Sequence, residues 1–281
     1  MNLFLFTDLD RTIVPNGPQP ESPHARPIFR RLAARPEGTL IYVTGRNVKL
    51  IKEAIQEYDL PTPDYAIGDV GTTIYRTGSG QWQAWEPWID EIRPDWKGMA
   101  HDNLAALLAD IDALDLQESE KQNRFKLSYY APTETDRDLL LAKVRRRLEP
   151  TGVKASLIWS IDEIAHVGLL DILPQRATKI HAIRFLMQEQ GAEESQSVFA
   201  GDSGNDLPAL TSGLPAVLVK NARAEVREEA RQIAAQKGIG KQLYIAKGQF
   251  RSMNGNYSAG VLEGVAHFYP VTIEWMQPEI P

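Results

Sequence analysis

Hydrophobic runs of strand length recur along this chain, and stretches with helical spacing separate them. Phe4-Leu5-Phe6 is long enough for one short buried strand, and it ends in Thr7-Asp8-Leu9-Asp10-Arg11-Thr12. A Pro-rich loop over 15–27 follows, with Asn16-Gly17 as a turn signal, then a short helix near 28–34. Thr39-Leu40-Ile41-Tyr42-Val43 is apolar and β-branched, reads as a buried parallel strand, and ends in Thr44-Gly45-Arg46. Val48, Ile51, Ile55 and Tyr58 recur at helical spacing, and Pro61 and Pro63 stop that helix. Tyr65-Ala66-Ile67 begins a third strand, expected to run on into Asp69–Tyr75, and Gly78-Ser79-Gly80 turns a hairpin back through Trp82 and Trp85. The order β-α-β-α-β predicts an α/β fold: a Rossmann-like parallel sheet with helices on both faces.

The pattern changes after Pro87. The spacing predicts a helix over 100–114, then a strand over 124–130 with Phe125, Leu127 and Tyr129 on one side and Lys126, Ser128 and Tyr130 on the other. A helix over 133–148 with Thr133 as cap and strands over 153–161 and 166–173 complete an α+β block. Residues 88–173 are therefore expected to form a domain inserted into a core made of 1–87 and 174–281. The first pattern then returns. Thr178 caps a helix with Ile180, Ile183 and Met187 inward, and Ser197–Ala200 is a buried strand ending in Gly201-Asp202-Ser203-Gly204-Asn205-Asp206. A helix near Pro208, a strand over 215–219, a charged helix over 223–235, a short strand over 243–246 and a helix over 259–268 follow.

The chain has 281 residues, 43% of them hydrophobic, which allows one large domain or two modest ones. A net charge of −6 argues against a sequence-wide attraction to nucleic acid or an anionic membrane, while leaving room for a local basic pocket. The absence of cysteine removes disulfides, thiolate catalysis and thiolate metal sites. Leu3–Phe6 is too short for a signal-peptide core, and no run approaches the roughly 20 apolar residues of a membrane helix. The expectation is a cytoplasmic protein.

Four polar clusters carry candidate chemistry, each at a strand-to-helix junction. Side chains at i and i+2 of an extended segment point to one side, so Asp8 and Asp10 can both lean over the end of the first strand. Such a pair is either a solvated turn or a carboxylate nucleophile, Asp8, with a general acid/base, Asp10. Thr44-Gly45-Arg46 is either a hinged turn or a hydroxyl with free amides that hold an anion. Lys179, in the first turn of a helix, works against the helix dipole; it is a surface lysine or a cation for a phosphoryl group. Gly201–Asp206 crowds two acids and an amide into one loop and points to a hard, oxygen-liking cation, with Asp202 a ligand and Asp206 an outer ligand or orienting group.

In this order, Asp8-Leu9-Asp10-Arg11-Thr12, Thr44, Lys179 and Gly201-Asp202-Ser203-Gly204-Asn205-Asp206 resemble the motifs of the haloacid dehalogenase-like hydrolases. Arg11 stands where glycine is common in that superfamily. The place of the insert resembles the cap domain of the sugar-phosphatase branch. Val70–Tyr75, Leu170–Pro174, Lys220-Asn221-Ala222 and Ala259–Gly264 resemble the sucrose-phosphate phosphatases, with Thr73 where that family often has glutamate.

The resemblance implies a phosphatase acting on a sugar phosphate, sucrose 6-phosphate or a related glycosyl phosphate. Asp8 would form an aspartyl-phosphate and Asp10 would protonate the sugar oxygen. Mg²⁺ would be held by the Asp8 carboxylate, the Asp10 carbonyl and Asp202, with Asp206 nearby. Thr44, Gly45, Lys179 and Asn205 would grip the phosphoryl oxygens. For the sugar, Lys126, Tyr130, Asp171 and Thr72 are the candidates, against an exposed sheet face for the first two and a core partner for Asp171. Trp82, Trp85, Trp88 and Trp96 are read as hinge and core packing. A phosphohexomutase is the first rival. A non-catalytic sugar-phosphate-binding regulatory protein is the second, and it should have lost one of Asp8, Asp10, Lys179 or Asp202, all of which are present. No interface signal stands out, so a monomer is expected, with a synthase partner left open.

Overall fold

The structure, a computed structural model, describes residues 2–162 and 165–277. The chain forms two compact units, Met1–Ala84 with Lys179–Pro281, and Trp85–Thr178. The first unit opens with β1 (Leu3–Thr7), α1 (Ala25–Ala33), β2 (Gly38–Val43), α2 (Val48–Glu57), β3 (Tyr65–Gly68), β4 (Thr73–Arg76) and β5 (Gln83–Ala84). The second unit comprises α3 (Glu86–Ile92), α4 (His101–Leu108), β6 (Asp115–Leu116), β7 (Leu127–Pro132), α5 (Arg137–Leu148), β8 (Ala155–Asp162) and β9 (Val167–Pro174). The first unit resumes with α6 (Lys179–Glu189), β10 (Ser197–Gly201), α7 (Leu207–Leu210), β11 (Ala216–Leu218), α8 (Ala224–Gln236), β12 (Leu243–Ile245), α9 (Ser258–Phe268) and α10 (Thr272–Trp275).

The first unit is built on one eight-stranded sheet in the order β12-β11-β10-β1-β2-β3-β4-β5. It is parallel from β12 to β3 and antiparallel over β4 and β5. Alternation along the strands explains why both faces are covered. Leu3, Leu5, Leu40, Tyr42, Val198 and Ala200 belong to one buried cluster with Phe29 of α1 and Val261, Leu262 and Val265 of α9. The alternate positions Phe6, Ile41, Val43, Ile67 and Phe199 are also fully buried, on the side that α6 and α7 approach. The chain leaves β1 toward β2 on one side, whereas β10 lies against its other side. That reversal opens a crevice at the carboxyl ends of β1 and β10, the place where open α/β sheets receive ligands.

The expected strand over 65–75 is not continuous. Asp69, Val70 and Gly71 take φ values of 52°, 61° and 95° and fold the chain back, so Ile74 of β4 lies opposite Ile67 of β3 in an antiparallel pair. Local polar bonds outcompete strand extension here. The Asp69 carboxylate accepts the Tyr75 hydroxyl at 2.8 Å, and its carbonyl accepts the Thr72 hydroxyl at 2.9 Å.

The second unit has a four-stranded antiparallel sheet, β6-β7-β9-β8, with α4 and α5 packed together and α4 against β7. Phe125, Leu127 and Tyr129 are buried as the alternation requires, and Phe125 packs edge-on to buried Trp96 at 5.6 Å. Trp88 is fully buried in this unit, while Trp82 of the first unit lies tilted against Tyr75. The helix expected over 100–114 stops at Leu108, because Asp110 and Asp112 place carboxylates at its negative end. Asp136, not Thr133, caps α5: its carboxylate accepts from the Asp138 and Leu139 amides at 3.0 Å each. Among the described residues, no helix is long and apolar enough to cross a membrane.

The cap assignment predicts a contrast. Asp136→Ala is expected to cost about 1 kcal/mol in urea unfolding, and Thr133→Ala to leave the midpoint unchanged.

Candidate active site

Leu9 closes a tight loop just past β1: its carbonyl accepts the amides of Thr12, Ile13 and Val14 at 2.9–3.2 Å. This loop presents Asp8 and Asp10 at the crevice. Beyond β2, Thr44 is anchored by its amide to the Ile67 carbonyl at 2.8 Å, and its hydroxyl accepts the Arg46 amide at 3.2 Å. A cavity of about 450 Å³ in the first unit is lined by Asp8, Asp10, Thr44, Gly45, Lys179, Asp202 and Asn205, all of them expected from the sequence. Arg11, Ser203, Gly204, Arg223 and Val226 complete the lining.

Asp206 sits beneath this cavity with no exposed surface. One oxygen, Oδ1, accepts the Lys179 ammonium at 2.8 Å. The other, Oδ2, accepts the amides of Asp202 and Ser203 at 3.1 Å and the Ser203 hydroxyl at 3.0 Å. Four donors thus satisfy one buried carboxylate and fix the loop that carries Asp202. Gly201 is required for this closeness, since a Cβ there would stand 2.7 Å from the Asp206 carboxylate. Lys179 completes the bridge, donating also to Asp8 Oδ1 at 2.9 Å.

The electrostatics favour a bound cation. Burial pushes the Asp8 carboxyl up to about 8, with Asp206 and Asp202 adding to the rise and Lys179 opposing it. Burial, with the Asp206 charge, raises Asp202 to about 6 against the pull of Arg11 and Lys179. Lys179 is itself held protonated: burial works against its charge, but Asp206 and Asp8 outweigh that. Oxygens of Asp8, Asp202 and Asp206 lie within 4.8 Å of one another. A hard divalent cation such as Mg²⁺ fits this all-oxygen donor set and would relieve its charge. Asp206 is already saturated by four donors, so Asp8 and Asp202 are the carboxylates with capacity for a metal.

Asp10 lines the same cavity but is paired separately. Its carboxylate takes a two-pronged bond from Arg46, at 2.8 and 2.6 Å, and one from the Asn16 amide at 2.7 Å. Burial acts to raise its pKa, but Arg46 and Asn16 outweigh that and lower it. Sequence reasoning missed this clamp, although Arg46 stood inside a motif it singled out. Asn221 stood in the Lys220-Asn221-Ala222 motif without a role; its side-chain amide donates to the Arg11 carbonyl at 2.6 Å. Arg11 takes a φ of 57°, which accounts for the glycine common at that position in the resembling superfamily, and its Nε donates to Asp202 at 3.1 Å.

The candidate sugar residues are not among those lining this cavity. Lys126 is buried in the second unit, and its ammonium is taken up by the Lys121 carbonyl at 2.9 Å, the Ser128 hydroxyl at 2.6 Å and Asp171 at 3.1 Å. Ser128 and Asp171 are direct cross-strand partners, so Asp171 finds its partner within the sheet. The Tyr130 hydroxyl donates to Glu118 at 2.9 Å and accepts from Lys121. Thr72 is 1% exposed, with its hydroxyl spent within the turn before β4.

A family model described as sucrose-6F-phosphate phosphohydrolase matches residues 1–269. A protein of Nitrosococcus oceani, named only at the level of a HAD-like hydrolase, is 58% identical over 276 residues, which are 98% of this chain and 74% of that protein. Sucrose-phosphatase 1 of Nicotiana tabacum is 27% identical over 95% of this chain, which spans only 59% of the tobacco protein. The sucrose-phosphatase of Synechocystis, solved with sucrose and phosphate, superposes with a TM-score of 0.69 at 27% identity, over 95% of this chain and 98% of that one.

The raised carboxyls set the pH dependence of stability. A carboxyl whose pKa is higher in the folded state stabilises fully below its unfolded value, near 4 for aspartate. That contribution is lost as pH rises through about 6 for Asp202 and about 8 for Asp8. Asp10, lowered, contributes above its unfolded value and stays constant over the same window. The urea midpoint of the protein in chelator is expected to fall between pH 5 and 9, and to fall less in Asp8→Asn. Added Mg²⁺ should raise the midpoint more at pH 8 than at pH 5, because metal binding needs the carboxylates deprotonated.

Proposed function

Because this chain belongs to the sucrose-6F-phosphate phosphohydrolase family, and is thereby a HAD-like phosphoric monoester hydrolase of sugar phosphates, we propose that it is Mg²⁺-dependent and acts on sucrose 6-phosphate or a related glycosyl phosphate through an aspartyl-phosphate on Asp8. The observation that carries this reading is the bridge of Lys179 between Asp8 and the buried Asp206, with Asp8, Lys179 and Asp202 all lining the cavity. It sets a carboxylate nucleophile next to a fixed cation, which is what phosphoryl transfer requires.

In this reading Asp8 attacks phosphorus in line with the sugar oxygen. The bond from phosphorus to that oxygen breaks, its electron pair goes to the oxygen, and Asp10 supplies the proton. Asp10 then takes a proton from the water that attacks the aspartyl-phosphate, which returns Asp8 and releases inorganic phosphate. Asp10 is ionised and clamped by Arg46 and Asn16 in the present geometry, so this role requires it to leave that pair and take up a proton from solvent before it meets the leaving group. The Thr44 hydroxyl, the Gly45 amide, Lys179 and Asn205 bind phosphoryl oxygens, an assignment supported by their common place on the cavity lining. Asp8, Asp202 and the Asp10 carbonyl would hold Mg²⁺, with Asp206 fixing the Asp202 loop. When bound, the ion supplies positive charge to the phosphoryl oxygens and to the nucleophile's surroundings. The inserted unit is proposed as the specificity domain, with Lys126, Tyr130 and Asp171 reading sugar hydroxyls. Thr72, in the first unit, would act on the sugar only through its turn.

The test is phosphate release with Mg²⁺ across sucrose 6-phosphate, other glycosyl phosphates and simple hexose phosphates. Preference for sucrose 6-phosphate, with turnover lowered about a thousandfold or more in Asp8→Asn, is expected. Turnover that survives Asp8→Asn would remove the aspartyl-phosphate. Isomerisation of a hexose phosphate without net release would move the protein to the mutases.

A further inference from the structure

A second cavity, of about 590 Å³, lies where α8 passes the edge strand β12. Four cations line it: Lys220 after β11, Arg227 and Arg231 one turn apart on α8, and Lys247 after β12. No aspartate or glutamate is in that lining. Among the described residues, Lys220, Arg227 and Lys247 make no ion pair, and Arg231 reaches only the exposed Glu228 at 3.7 Å. Arg227 offers a single hydrogen bond, to the Lys220 carbonyl at 3.5 Å. In a chain of net charge −6, this is a concentrated positive concavity whose lining holds no acid.

The concavity has built walls. Glu263 of α9 is buried and accepts the amides of Lys247 and Gly248 at 2.8 Å and of Gln249 at 3.1 Å, as well as the Tyr244 hydroxyl at 2.8 Å. These four bonds fix the loop that carries Lys247. Lys220 packs on the same loop: a Cβ at Gly248 would lie 3.1 Å from its ammonium. The wall between the cations is not polar. Leu243 and Ile245 line it, and the Tyr244 ring stacks on His267 with centroids 4.3 Å apart. The volume falls in the usual range for small-molecule sites.

We propose that this cavity binds a small organic phosphate, one with at least two negative charges and a flat or apolar portion. The cations fit the phosphate groups, and the tyrosine, histidine and aliphatic wall fit the organic portion. An occupant here would touch the helix whose first residues also reach the active-site cavity, since Val226 lines one cavity and Arg227 the other.

The test is calorimetry on the full chain without added metal, with inorganic phosphate, pyrophosphate and ADP as probes. Lys179→Met removes the phosphoryl cation of the active site, and Arg231→Glu with Lys247→Glu reverses two cations of the second cavity. ADP is expected to bind wild type and Lys179→Met alike, more tightly than pyrophosphate, and at least about tenfold more weakly in the double reversal. Binding that disappears in Lys179→Met, or survives the double reversal, would overturn the proposal, as would no binding by any probe. Pyrophosphate binding as tightly as ADP would overturn the organic part. Should the double reversal fail to fold, Arg231→Gln with Lys247→Gln carries the same test.

Discussion

Burying three carboxylates around one lysine is the constraint on which the rest of the structure depends. Asp206 has no access to water, so its charge must be met by the protein, and four donors meet it. Those donors dictate the backbone of the loop after β10, the absence of a side chain at Gly201 and the position of Asp202. Lys179 satisfies Asp206 and Asp8 together, and so ties the start of α6 to the ends of β10 and β1. Lys179 and Arg11 against three acids leave negative charge over, and that surplus favours a bound cation, which would in turn face the negative phosphoryl oxygens.

Two pairings separate functions that would otherwise interfere. Arg46 and Asn16 hold Asp10 as an ion while Asp8, two residues earlier, is driven toward its neutral form. Neighbouring side chains of one type thus stand in opposite electrostatic surroundings, one dry and crowded by acids, the other paired with a guanidinium. The proposed roles need the reverse, a carboxylate at Asp8 and a proton on Asp10, so a cation beside Asp8 and release of Asp10 from Arg46 would have to invert these surroundings.

The parallel sheet and the strand-end clusters were legible because they depend on short-range pattern: continuous apolar runs in Phe4–Phe6 and Leu40–Val43, as a strand covered on both faces requires, and polar residues immediately after them. Lys179 could be read despite its ordinary surroundings, because its place against the helix dipole made it an exception. What escaped depends on partners distant in sequence or on competition between local bonds. Arg46 meets Asp10 only after β1 and β2 pair. The turn at 69–71 forms because Tyr75 and Thr72 offer Asp69 bonds that a strand would forgo. Asp136 outranks Thr133 as a cap by geometry that spacing does not reveal. The candidate sugar residues were the least legible. Lys126 lies on the predicted polar face and Asp171 in a strand read as apolar, but they satisfy one another, and an internally satisfied pair carries no sequence mark of what it recognises.

The place of β10 beside β1 has a consequence for synthesis. β1 can pair with β2 soon after both emerge, but its other edge waits for Ser197–Gly201, and Arg11 for an Asp202 that is 191 residues away. At ribosomal rates that wait is roughly 10–40 s, during which one side of a hydrophobic strand is uncovered. The nascent chain therefore holds an open, adhesive edge and an incomplete acid cluster for most of its translation. An uncovered edge of this kind invites association with other chains, so the cost of this topology falls on the folding chain rather than on the finished fold.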